Sequence, residues 1–143
     1  MNIYFAGAIR GGREQQPLYQ ECVKILKKYG TVLGEHVAED TLTRHGESEV
    51  DEQGIYEKEM DDIKNSDVVI AEVTTHSLGV GYIIAQAANE GKKVVCLYNG
   101  NPVQRLSAMI QGDKRLAVRS YQNVTDLEQI FVEIFKQGIT EQN

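Results

Sequence analysis

A chain of 143 residues with 41% hydrophobic and 25% charged side chains is long enough to bury one core and ordinary in composition for a globular protein. No apolar run approaches the length that crosses a bilayer, and the formal net charge of −6 argues against a protein whose main partner is a duplex phosphate backbone. A small phosphate ligand stays possible wherever cations and backbone amides gather locally.

Met1 passes straight into Asn2-Ile3-Tyr4-Phe5-Ala6-Gly7 without the basic and apolar regions of a secretory signal, so a cytoplasmic protein is expected. The stretch from Asn2 to Gly7 reads as a short apolar strand, and Ala8 to Gly12 as a glycine-rich loop carrying Arg10. From about Glu14 to Tyr29, Leu18, Cys22, Ile25 and Leu26 recur at helical spacing, with Pro17 in the first turn and Gly30 beyond the end. Thr31 to Leu33 suits a second strand. The polar stretch from Glu35 to Gly54 has little periodicity and reads as a long loop with His36 and His45.

Glu52 to Asn65 predicts a second helix, and Asp67 to Val73 is a nearly continuous apolar run of the kind buried in a parallel sheet. A turn over Thr74 to Ser77 leads to a third helix over Leu78 to Gly91. Lys93 to Tyr98 reads as a fourth strand, Leu116 to Val118 as a short fifth, and about Asp126 to Lys136 as a terminal helix. Alternating strands and helices imply right-handed crossovers and an α/β protein with a parallel sheet covered on both faces. With no repeat or linker in sight, residues 1–143 are expected to form a single domain. Cys22 and Cys96, the only cysteines, fall in a helix and a strand and fit two buried thiols rather than a disulfide or metal site.

Ligands of such sheets collect beyond the carboxyl ends of the strands, which directs attention to the loops after Phe5, Leu33, Val73 and Tyr98. The first offers backbone amides and the Arg10 guanidinium to an anion. In the third, Ser77 suits a helix N-cap or a phosphate ligand, with the cap the simpler role, and Gly79 and Gly81 allow close approach to the first helical turn. On the second helix Ile55, Glu59 and Ile63 share one face, and Tyr56, Met60 and Ile63 continue an apolar stripe, so Glu59 sits where a core residue belongs. A carboxylate there either reaches the edge of the stripe or serves a site, with its pKa raised towards a range useful for acid–base work. No nucleophile elbow, dinucleotide fingerprint, Walker A sequence or helical histidine pair is present.

Four blocks, Ile3 to Arg13, Glu35 to Ala38, Asp67 to Thr74 and Ser77 to Tyr82, together with Leu106 to Ile110, resemble in order the 2′-deoxynucleoside 5′-phosphate N-hydrolases of the nucleoside 2-deoxyribosyltransferase superfamily. The resemblance implies a flavodoxin-like, Rossmann-like three-layer sandwich on a five-stranded parallel sheet. It also implies a homodimer that needs no metal or organic cofactor and cleaves the N-glycosidic bond of deoxynucleoside monophosphates to free base and deoxyribose 5-phosphate. By the same resemblance Tyr4 lines the sugar; Ile9, Arg10 and Gly11 hold the phosphate with Ser77, Gly79 and Gly81; Ser107, beside Met109, arrives from the partner subunit; and His36 lies near base and ribose. Arg10, Ser77 and Ser107 favour a phosphorylated substrate over the unphosphorylated one of the transferase branch.

Two positions depart from the family pattern. Ala8 stands where a serine is common, and Ile83 follows Gly81-Tyr82 where the family has its nucleophilic glutamate, while Glu59 occupies the place of its assisting aspartate. Ile83 can neither attack a carbon nor move a proton. Three explanations fit: slow hydrolysis by water that Glu59 activates, a nucleotide binder without turnover, or a residue introduced to hold ligand. Glu90 lies about two turns away on the same helix, and the direction of Glu72 is open.

Overall fold

The computed structural model describes residues 1–8, 16–35, 51–101 and 105–137. Five parallel strands form one sheet: β1 (Asn2–Ala6), β2 (Thr31–Leu33), β3 (Val68–Glu72), β4 (Lys93–Asn99) and β5 (Leu116–Tyr121), in the order β2-β1-β3-β4-β5. Alternation along the strands divides the core into two layers. Ile3, Phe5, Val68, Ile70, Val95 and Leu97 face helices α1 (Gln16–Leu26) and α5 (Val124–Val132), burying Tyr19, Cys22, Leu26, Leu127 and Phe131. Tyr4, Ala6, Val69, Ala71, Val94 and Cys96 face α2 (Glu52–Asn65) and α3 (Leu78–Asn89), burying Ile63, Val80, Ile84 and Ala87. The three-layer sandwich expected from the sequence is what forms, with Cys22 and Cys96 both buried and unpaired. No helix is long and apolar enough to cross a membrane among the described residues.

The order places β1 beside β3 at the centre, with Ala6 opposite Ala71. Successive connections leave to opposite sides here, so a crevice opens between the carboxyl ends of these two strands. The loop after β1, which leads to Arg10, and the turn after β3, which leads to Gly79, therefore start from neighbouring strand ends.

Several boundaries differ from those expected. The first helix keeps its regular pattern only to Leu26, after which Lys28 and Tyr29 donate to Ile25 and Leu26 in tighter three-residue turns. The third helix stops at Asn89 because Gly91 adopts φ +74°, the left-handed conformation that closes helices. The fifth strand runs three residues further than its apolar core suggests: Arg119, Ser120 and Tyr121 continue the pairing with Leu97, Tyr98 and Asn99. A five-residue helix, α4 (Ala108–Gly112), went unforeseen because it is too short to show periodicity; Ser107 caps it by accepting from the Met109 amide at 3.2 Å. Of the long loop, residues 36–50 lie outside the described residues.

Gly34 shows how the sheet shapes its own crevice. Its φ is +74°, and a Cβ there would stand 2.5 Å from the Phe5 carbonyl oxygen and 2.9 Å from Tyr4 Cε2, so the chain leaving β2 passes directly against the Tyr4 ring. Gly34→Ala is expected to cost about 1–2 kcal/mol from backbone conformation alone, with the clash in addition. Urea unfolding at equilibrium measures it.

Candidate active site

The crevice is built around a carboxyl group and a phenol. Asp51 caps α2 by accepting from the Gly54 amide at 2.6 Å, and the packing of Ile63 and Met60 holds the helix over the sheet face that carries Tyr4. Glu59 then falls two turns into the helix, and the buried Tyr4 hydroxyl donates to its Oε2. The pairing answers the question left by the stripe: Glu59 does not reach away to solvent but turns towards β1. Burial, with a smaller contribution from the charge of Asp62, pushes its carboxyl from 4.5 up to about 7. A carboxyl balanced near neutrality and held by a phenol suits proton transfer. The apolar stripe itself needs one correction. Tyr56 is half exposed and meets Tyr82 of α3 edge-on at 6.3 Å, so it forms a rim above the helix pair rather than part of the core.

The turn after β3 leads into α3, whose Val80 and Ile84 pack in the same cluster as Tyr4. Ser77 is the N-cap of α3, with Oγ accepting from the Val80 amide at 3.2 Å. The hydroxyl proton takes no part in the cap, so capping and donating to a ligand are compatible. Among the described residues, a Cβ on Gly79 would meet nothing closer than Ser77 Oγ at 3.8 Å, and one on Gly81 nothing within 4 Å. Packing among the described residues thus gives no reason for glycine at either position, whereas approach of a ligand to the amides would. Helix N-terminal amides and the helix dipole favour an anion there. Gly81→Ala is accordingly expected to stabilise the fold by about 0.5–1 kcal/mol through helix propensity while weakening 5′-monophosphate binding. Thermal melts beside calorimetry separate the two effects.

Ile83 lies on the next turn of α3, half-buried against the cluster that contains Tyr4, Ala6 and Ile63. An apolar side chain therefore stands on the face where the resemblance puts a nucleophile. Neither alternative carboxylate takes over. Glu90 is exposed at the far end of α3. Glu72, whose direction the sequence left open, projects to the opposite sheet face, fully buried, where the Tyr121 hydroxyl donates to its Oε2 and the Thr74 amide to its Oε1 at 2.6 Å.

His76 is exposed but joins two loops: its Nε2 lies 3.2 Å from the Arg105 carbonyl oxygen, tying the turn before α3 to the segment that leads to Ser107. Ser107 and Met109 are both exposed at the start of α4. Ile9, Arg10, Gly11 and His36 lie outside the described residues. Among the described residues no group of three or more His, Cys, Asp or Glu side chains is placed to hold a metal ion. One contact that no sequence pattern signals secures the first loop: Tyr19 of α1 accepts from the Ala8 amide at 3.0 Å, and its ring leaves no room for a Cβ on Gly7, which would lie 2.9 Å away.

Comparison with known proteins shows the family and the fold. The family model described as nucleoside 2-deoxyribosyltransferase matches residues 3–133. A 5-hydroxymethyl-dUMP N-hydrolase from Esox lucius is 43% identical over 95% of this chain and 97% of its own length, and one from Danio rerio is 46% identical over 78% of each. Among solved structures, a 2-deoxyribosyltransferase from Bacillus psychrosaccharolyticus shares the fold with a TM-score of 0.67 over the whole of both chains, at 14% identity. The chain belongs to the nucleoside 2-deoxyribosyltransferase superfamily and, within it, to the 2′-deoxynucleoside 5′-phosphate N-hydrolases.

Proposed function

We propose that this protein hydrolyses the N-glycosidic bond of 2′-deoxynucleoside 5′-monophosphates, slowly, with Glu59 as the acting carboxylate. The observation that carries the reading is the Tyr4–Glu59 pair, part-buried and poised near neutrality on the sheet face that α3 also covers. The phosphate is taken by the amides of α3 with Ser77, Gly79 and Gly81, and by family resemblance Ile9, Arg10 and Gly11 also bind it. His36 stands near base and ribose. Ionised Glu59 takes a proton from water as the water oxygen bonds to the anomeric carbon. The carbon–nitrogen bond breaks, its electron pair leaves on the base nitrogen, and the proton held by Glu59 returns there.

With Ile83 in the nucleophile's place, no covalent sugar–protein intermediate forms, so a second base is not an acceptor. The chain works as one domain in a homodimer, with Ser107 reaching the partner's phosphate beside Met109. A cytoplasmic location suits its two unpaired thiols.

Ile83 also favours a second reading, a nucleotide binder without turnover. Long incubation with a panel of deoxynucleoside monophosphates that includes 5-hydroxymethyl-dUMP, followed by mass spectrometry of the free bases, decides between them. Base release is expected; tight calorimetric binding without any release would establish the binder, and neither binding nor release would overturn both.

A further inference from the structure

The one fully buried charged side chain among the described core residues takes no part in this chemistry. Glu72 ends β3 on the α1 and α5 side of the sheet, against Tyr121 of β5 and near the Cys22 thiol. Burying a carboxylate is costly unless donors replace its water, and an apolar residue would fill the same space without that cost. Three donors surround this one: the Tyr121 hydroxyl and the Thr74 hydroxyl, at 3.0 Å, share Oε2, while the Thr74 amide meets Oε1 at 2.6 Å. Thr74 Oγ1 in turn accepts from the Asn99 amide at 2.8 Å, and the Tyr121 carbonyl accepts from the Gly100 amide at 3.0 Å. One carboxylate thereby gathers the carboxyl ends of β3, β4 and β5.

What this network holds is the first residue of the turn Thr74–Ser77, whose last residue caps α3. The same turn is fastened at its other end by His76 to the Arg105 carbonyl. We propose that Glu72 is a positioning residue: from the opposite face of the sheet it presets the Thr74–Ser77 turn and so aims the first amides of α3 at the substrate phosphate. The inference rests on the reading above that the phosphate lies at the start of α3. A carboxylate suits the task because both its oxygens only accept, so it can satisfy three converging donors; a carboxamide brings one acceptor oxygen and two further donors into the same space.

The test is calorimetric binding of a deoxynucleoside 5′-monophosphate and of the matching unphosphorylated deoxynucleoside to the full chain, to Glu72→Gln and to Tyr121→Phe, with thermal melts alongside. Tyr121→Phe keeps the ring and removes one donor, so the comparison stands even where Glu72→Gln fails to fold. Monophosphate binding is expected to weaken about tenfold in each variant while nucleoside binding stays the same, the loss that a displaced hydrogen bond to a charged group produces. A merely structural role would lower the melting temperature and affect both ligands alike. Variants that keep the full preference for the monophosphate, or bind it more tightly, would overturn the positioning role. Absence of that preference in the unaltered chain would instead overturn the phosphate site at α3.

Discussion

Ile83→Glu is expected to raise base release from a deoxynucleoside monophosphate by roughly a hundredfold or more, the lower range of what a positioned acid–base group contributes. The position lies on the face of α3 that packs towards Tyr4, so the new carboxylate enters the crevice rather than solvent. It would meet a pocket already equipped with a phenol, a second carboxyl group and helix N-terminal amides, and two carboxyl groups are what divided glycosidic chemistry requires. The route should change along with the rate. A nucleophile permits a covalent sugar ester, which a second base can intercept, so isotopically labelled free base should exchange into the monophosphate with the Ile83→Glu variant and not with the unaltered chain. Monitoring both release and exchange by mass spectrometry tests the point. An unchanged rate in a folded variant would show that Ile83 is not beside the reacting carbon.

The second large effect concerns Glu59→Gln. Without a group to accept the water proton, release should fall by roughly two to four orders of magnitude. In the unaltered chain the rate should climb with pH as Glu59 ionises, level off above about 7, and show no such inflection in the variant. Stability should move the other way. Folding raises this carboxyl from 4.5 to about 7, so the folded chain binds a proton that the unfolded chain has released, and the stabilisation from protonated Glu59, fully present below 4.5, is lost as pH rises to about 7. The loss is at most about 3–4 kcal/mol, since each pH unit between the two values corresponds to about 1.4 kcal/mol. Glu59→Gln should flatten that slope and be the more stable form at about pH 8, a combination that separates a group strained for function from one that holds the fold. Urea titrations at a series of pH values read it.

The sheet and its coverings were legible because alternating and helical periodicities report burial, and the strands here are buried on both faces. Glu59 was legible for the same reason, as a charged residue at an apolar position of a helix. Tyr56 was misplaced by that very periodicity: α2 meets the sheet along a stripe narrower than its apolar residues span, and Tyr82 on the neighbouring helix provides the outer ring with a partner at the rim. Glu72 could be noticed as the single charge inside Val68–Val73 but not interpreted, because its partner Tyr121 is 49 residues away in sequence and meets it only across β4. Tyr19 and Gly34 act through close approaches that depend on where the loops pass. Spacing along the chain carries no record of that. The phosphate-loop residues were legible chiefly through resemblance, since a glycine after a strand has many uses; among the described residues the space beside Gly79 and Gly81 is open, as a binding role requires.

A crystal structure with a deoxynucleoside 5′-monophosphate bound tests the assignment most directly. The phosphate should rest on the amides at the start of α3, with the anomeric carbon between the Glu59 carboxyl and Ile83 and the sugar against Tyr4. A ligand whose phosphate lies away from Ser77 and Gly79, or whose glycosidic bond is out of reach of Glu59, would contradict it.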